Sequence, residues 1–590
     1  MNKILLVSAV SAALFGGVAN ASITFDANGM PDSATLADTV TVYLAGASAQ
    51  AELFDRGLLD GTKESICKIG TVHKFQDPPS GSLQKAYLCE LNTAANGSAA
   101  PNTNIPSLGK SNLLLLKRDE GGSGPGVYQI VSPSEIAFLN VTTNPSGCTA
   151  VAAGLFASTR TCAYNKDTNR TLATPDFGVA DVNPQIFTVA GENAPAGTNP
   201  ASPPGPSSKT YEVIPGPAQV FGVAVSTKLR NALQQAQFAS NSKCNPTNAG
   251  YTDAAGTAKD TADSATCMPN LNSDQIAAIF AANNTPAGGL KAGIEGPTLG
   301  AGKIHSWKQI KIGTTDLFTQ TIAANKPASD KVHICSRTIG SGTKAQFSVK
   351  FLNNVCSSTG QKLVSHADHT AIGEVGQSFF QAGPIADIES QLRPVVHAMS
   401  SGGGMTECLN ELDLGSANTA GSFAPGTAYG AAGPEAVRWA IGYNSLDKNA
   451  TLSSSYRFIK VDGVLPTLQN VVNGTYPDWV EGTFQYNVSV LKDAKMLQLV
   501  KEMVSSFGTP SVVSFVNTSA ATHTFGTSGF LAVPNSVHPA PQNGLLNLAA
   551  PVNPFSHAVF PGTAGQATNN CRNPLIYNQK TNPAQGFQLK

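Results

Sequence analysis

Residues 333–352 read HICSRTIGSGTKAQFSVKFL. An apolar run ends at Arg337, passes through Gly340-Ser341-Gly342-Thr343 and turns helical. Strand, glycine turn and helix form the repeating unit of α/β folds, whose ligands sit where strands end and helices begin. There the free N–H groups of the first helical turn attract an anion, and glycine lets it approach the backbone. An arginine fork beside the turn suits phosphate, sulfate or carboxylate. The stretch therefore predicts an α/β fold and points to a negatively charged guest.

The same plan recurs twice. Residues 40–44 predict a strand, followed by Gly46-Ala47-Ser48-Ala49; residues 113–117 predict another, followed by Gly121-Gly122-Ser123-Gly124. Further strands are expected at 219–225, 331–337 and 440–446, and helices at 271–283, 343–354 and 493–507. The helix at 271–283 would be capped by Ser273 or Asp274. Residues 482–491 alternate like a half-exposed strand. Strands alternating with helices argue for largely parallel sheets. The tail beyond residue 511, rich in Asn, Pro, Gly and Ala, reads as surface coil or an added small β element.

Composition narrows the function classes. Only 13% of the 590 residues are charged and the formal net charge is zero, which argues against nucleic-acid binding through bulk charge. The first 21 residues carry one lysine, a short apolar run and Ala19-Asn20-Ala21, the pattern of a signal peptide cleaved after Ala21. A periplasmic or cell-surface protein is expected. Ten cysteines in an oxidising compartment predict disulfides. Neighbouring pairs would be Cys67–Cys89, Cys148–Cys162, Cys244–Cys267 and Cys335–Cys356, leaving Cys408–Cys571; spacing alone does not fix the connectivity. His366 and His369 lie three residues apart without an accompanying ligand set, so no metal or cofactor is expected. No Walker pattern or G-x-S-x-G elbow is present, and no catalytic residue is assigned.

The order of these pieces resembles the phosphate-binding protein of bacterial phosphate importers, a type II periplasmic binding protein. YLAGASAQ, GGSGPGVYQI, FGVADVNPQIF, QVFGVAVSTKL, HICSRTIGSGT, AIGYNSL and KVDGVLPTLQNVVNGTYP follow one another as the family's segments do, over roughly residues 40–510. The resemblance implies a two-lobe α/β fold with disulfide-held insertions. It implies ligand contacts from Ser48, Ala49, Ser123, Asp181, Arg337, Ser341, Gly342 and Thr343, with Asp181 accepting a phosphate proton. It implies phosphate or a related oxyanion as guest and an ABC permease as partner. One departure stands out: two positions after the arginine, where the family has an acid, this chain has Ile339.

The expected layout is a signal peptide (1–21), lobe one with insertions (22–222), lobe two (223–455), a return to lobe one (456–510) and a C-terminal extension (511–590). The leading expectation is a secreted binding protein without enzymatic activity. A structural or surface-layer protein that self-associates, its ligand site degenerate, stays open beside it, and so does a secreted phosphatase.

Overall fold

The computed structural model describes residues 23–78, 83–151, 154–165, 167–187, 211–252, 261–281, 304–312, 314–358, 360–363, 394–415, 437–491, 493–534, 541, 544–557 and 569–576. The candidate leader, His366 and His369 lie outside them.

One mixed sheet of fourteen strands organises the chain. Its strands are β1 (Thr39–Gly46), β2 (His73–Gln76), β3 (Gln84–Glu90), β4 (Asn112–Arg118), β5 (Cys148–Val151), β6 (Ser158–Cys162) and β7 (Phe177–Ala180). Then follow β8 (Tyr211–Ser226), β9 (His333–Arg337), β10 (Val395–Met399), β11 (Ala440–Ser445), β12 (Tyr456–Phe458), β13 (Trp479–Asn487) and β14 (Phe530–Leu531). Twelve lie in the order β10-β9-β11-β8-β13-β7-β1-β4-β3-β2-β6-β5, and β12 and β14 pair with β8 off this path.

The 16-residue β8 joins two half-sheets. Its first part, Tyr211 to Val220, pairs with β13, which continues to β7 and β1; Phe221 to Val225 pair with β11, which continues to β9. The register slips between Pro215 and Ala218. Proline lacks the N–H a ladder needs, which favours an irregularity there. Each half has its own main core, with Trp479 of β13 and Leu531 of β14 reaching into that of the second. Val42, Leu44, Leu113 and Leu115 pack with Phe177 and Phe484 on one side. Val223, Val225, Ile334 and Cys335 pack with Trp439 and Tyr443 on the other.

The helices that matter here are α1 (Ala51–Gly57), α2 (Ser123–Val131), α3 (Thr227–Gln237), α4 (Ser273–Phe280), α5 (Gly342–Leu352), α6 (Gly402–Leu414), α7 (Leu468–Val472), α8 (Ala494–Phe507) and α9 (Pro510–Ala520). Among the described residues no helix is long and apolar enough to cross a membrane.

Several expectations need correction. The sheet is mixed, not largely parallel: β1–β4, β1–β7, β9–β10 and β9–β11 are parallel, while β8 and β13 run antiparallel to their neighbours. β13 is buried at every position, because helices and the C-terminal segment cover both faces of the sheet centre. Asn272, not Ser273 or Asp274, caps α4 in a reciprocal capping box with Gln275. The tail is not all coil. Pro510 starts α9, and Val512, Val513 and Val516 bury against the core around Phe54 and Phe507. The Phe555–Ser556 and Leu575–Ile576 pairing does supply a small β element.

All ten cysteines are paired: Cys67–Cys89, Cys148–Cys162 and Cys244–Cys267 as expected, but Cys335–Cys408 and Cys356–Cys571 in place of the last two pairs. Proximity along the chain misleads at Cys335 because α5 intervenes. Cys335 points from β9 into the core that α6 shares, where Cys408 sits, and α5 carries Cys356 out to a different cluster.

Candidate functional site

The three glycine turns meet at one point. β9 ends in Arg337, only 1% exposed, and its guanidinium crosses between the half-sheets. Nη2 donates to Ser48 Oγ at 2.9 Å and to Ser400 O at 2.8 Å; Nη1 donates to Thr343 Oγ1 at 3.2 Å and Nε to Met399 O at 3.2 Å. Thr343 Oγ1 donates in turn to Asp181 Oδ2 at 2.9 Å. A relay thus runs from guanidinium through hydroxyl to carboxylate. Ser48 follows β1 and Asp181 follows β7 in one half; Arg337 and Thr343 belong to the other.

Local sequence dictates this approach. Gly342 opens α5, and a Cβ there would lie 2.2 Å from Ser123 Oγ and 2.9 Å from Asp181 Cβ. Gly122 adopts φ +66° and faces Ser341 Cα, so the second and third glycine turns touch. Gly124 N donates to Gly340 O at 2.9 Å, a backbone bond between the halves. Ser123 Oγ accepts from Asp181 N at 3.1 Å. Gly46, at φ +123°, lets β1 run against Val179 O, 1.9 Å from where a Cβ would stand.

Two predicted residues are placed differently. Ser341 caps α5, its Oγ accepting from Lys344 N at 3.3 Å. Ala49 is buried, and its carbonyl accepts from Gln219 Nε2 at 2.8 Å. Ser48, Ser123, Asp181, Arg337, Gly342 and Thr343 form the close group.

Electrostatics follow from burial. Burial pushes the Asp181 carboxyl up to about 6, against the opposing pull of Arg337 and the Thr343 hydrogen bond. Its Oδ1 is buried without a hydrogen-bond partner. Burial also lowers the Arg337 pKa, opposed by Asp181.

Sequence reading missed Lys117. It ends the buried run of β4, 1% exposed, and donates to Gly46 O at 2.9 Å and to Asp119. It holds the first glycine turn from beneath, and its charge lowers the Asp181 pKa. A lysine closing an otherwise apolar strand is the signal that could have shown it. Tyr443 was missed too: its hydroxyl accepts from Arg337 N at 3.1 Å and meets Ser336 Oγ at 3.0 Å, fixing the end of β9. Asp447, buried, has its carboxyl pushed up by burial and disfavours ionisation of Asp181. Among the described residues no group of three or more His, Cys, Asp or Glu could hold a metal ion.

No family model matches the chain, and no curated protein matches it. Solved structures similar to it include a Clostridium perfringens protein designated a phosphate ABC transporter substrate-binding protein, with phosphate bound (12% identity, covering 81% of this chain and 98% of that one, TM-score 0.33). An ABC-type phosphate transport receptor from Vibrio cholerae gives 10% identity, 79% and 93% coverage and a TM-score of 0.29. A phosphate-binding protein from Stenotrophomonas maltophilia gives 13%, 80%, 84% and 0.30. Likeness at this level assigns neither family nor ligand.

Proposed function

We propose that the chain binds phosphate or a related oxyanion between its two half-sheets. The observation that carries this reading is the buried Arg337 guanidinium, shared between hydroxyls from both halves and linked through Thr343 to Asp181. Ser48, Ser123, Arg337 and Thr343 supply donors, and α2 and α5 begin at the site with their positive ends toward it. The unpartnered Asp181 Oδ1 suits the O–H of a protonated oxyanion. Binding requires the halves to part and re-form about β8, a hinge-type motion. Phosphate import, with the loaded protein docking on an ABC permease, is the role such chemistry serves. The paired cysteines suit an oxidising compartment outside the cytoplasm.

A second reading has its own observation. Four protein acceptors already engage the guanidinium, and Ile339 stands where an acid would complete the site. On this reading Arg337 is a clasp between the halves of a structural protein. Isothermal titration of the purified mature chain with phosphate, sulfate and other oxyanions separates the two. Saturable heat that Arg337→Gln abolishes supports binding; flat traces for every anion leave the clasp.

A further inference from the structure

The fifth disulfide joins parts of the molecule that the other four do not. Cys67–Cys89, Cys148–Cys162 and Cys244–Cys267 close short loops, and Cys335–Cys408 lies inside one core. All eight of those cysteines are buried. Cys356–Cys571 spans 215 residues, with Cys356 half-buried and Cys571 exposed.

Its two ends belong to opposite sides of the candidate site. Cys356 follows α5, whose first turn contains Thr343. Cys571 lies in a C-terminal segment held by the other side: Asn183 N, two residues past Asp181, donates to Asn570 Oδ1 at 2.7 Å. The preceding part of that segment is fixed on β13, where Ser556 Oγ and His557 N each donate to Glu481 at 2.6 Å. Asn569 N donates to His557 O at 3.0 Å and ties the two pieces together. Beneath them, Ala345 and Val349 of α5 share a cluster with Val182, Ile186 and Phe187, against which Val355 and Cys356 pack. A closed ring therefore runs from the site along α5, through the disulfide and Asn570, and back to the Asp181 loop.

We propose that Cys356–Cys571 is a redox-sensitive strap across the two half-sheets: oxidised, it limits their separation and keeps the Arg337–Ser48 and Thr343–Asp181 contacts shut; reduced, it lets them part. The restraint stands on the geometry alone; its effect on anion exchange rests on the binding reading above. Exposure makes this bond the accessible target for a dithiol reductant. A thiolate of the reductant attacks Cys571 Sγ, the S–S bond breaks, and the Cys356 thiolate leaves and takes a proton. The second thiol of the reductant then resolves the mixed disulfide, freeing the Cys571 thiol and leaving the reductant oxidised.

Amide hydrogen exchange on the full mature chain, without any anion, tests the strap. The compared forms are the oxidised protein, the Cys356→Ser/Cys571→Ser variant, and wild type treated with limiting dithiothreitol. Opening the strap should speed exchange at Gly124 N, which bridges the halves, by roughly tenfold or more, while Val42 and Leu115 inside the first core stay unchanged. Unchanged Gly124 exchange overturns the proposal. So does equal acceleration at Val42 and Leu115, which marks a general loss of stability, or peptide mapping that finds another disulfide reduced first. Should the double variant not fold, reduced and reoxidised wild type carry the comparison. Titration with inorganic phosphate on the same samples separates the readings. A flat trace with faster Gly124 exchange retires the anion and keeps the strap; phosphate binding with unaltered Gly124 exchange does the reverse.

Discussion

Arg337 and Asp181 carry opposite charges in a place water does not reach, and each is tolerable only because of its neighbours. Replacing Arg337 with glutamine strips donors from Ser48, Thr343, Met399 and Ser400 together. The expected cost is about 3 kcal/mol in urea unfolding, along with loss of any anion titration; a variant as stable as wild type would contradict the buried network. Asp181 has a folded pKa of about 6 against an ordinary 3.8, so the folded state holds its proton more tightly than the unfolded chain does. Stability from this group is therefore present at low pH and lost as pH rises through that window. Relative to Asp181→Asn, wild type should gain stability on going from pH 7 to pH 4, by on the order of 3 kcal/mol at most. Using the difference between the two proteins cancels Asp77, Asp176 and Asp478, whose carboxyls burial also raises. A flat difference profile would show that Asp181 is solvated. Arg337 and the hydroxyls were legible because glycine turns and an arginine announce themselves locally, whereas Asp181 came only from the resemblance of its segment. Asp447 and Tyr443 were not, since only the strand order brings them to the site, and Lys117 left only the trace of a charge closing an apolar run.

At the scale of elements, the tight contact between α5 and α2 depends on Gly342. Alanine favours a helix over glycine by about 1 kcal/mol, so propensity alone predicts a more stable protein. The clash with Ser123 Oγ and Asp181 predicts the opposite sign. Gly342→Ala should lower the thermal midpoint and weaken any phosphate binding at least roughly tenfold, and adding Ser123→Ala should recover part of the stability, while binding stays weak because that change also removes a donor. A more stable Gly342→Ala protein would mean that the turns do not close as described. Misread elements have a common origin. β13 alternates in polarity, yet Glu481, Thr483 and Gln485 are buried because their polar groups find partners there: Ser556 Oγ donates to Glu481, Thr483 Oγ1 to Val182 O and Gln485 Nε2 to Gly126 O. The residues of α9 sit in a tail whose composition reads as surface coil or a small β element, but Pro510 at the first turn and packing on Phe54 and Phe507 make them a helix. β1, β4, β9 and α8 were readable because apolar runs or helical periodicity matched their burial.

Across the whole molecule, the contacts that join the half-sheets among the described residues include the polar network at Arg337, the Gly124–Gly340 backbone bond, the Cys356–Cys571 disulfide and the apolar cluster of Ala345 and Val349 with Ile186 and Phe187. The apolar cluster was not visible in sequence, because it depends on how the halves close about β8. The disulfides differ in the same way, and a comparison of two of them separates stability within one half from the relation between halves. Cys335–Cys408 closes a 73-residue separation wholly within the core of Trp439 and Tyr443. In the chain-entropy account its main effect is on the unfolded chain, worth about 4 kcal/mol for a loop of that size. Cys335→Ser/Cys408→Ser should therefore unfold at lower urea by that amount, with amides throughout the second half exchanging faster. Gly124 N should gain no more than those amides do, because its bond to Gly340 O does not depend on this link. Cutting Cys356–Cys571 should give the converse pattern, with Gly124 leading. If both double variants loosen the same amides to the same extent, the halves unfold as one cooperative unit and β8 is no hinge.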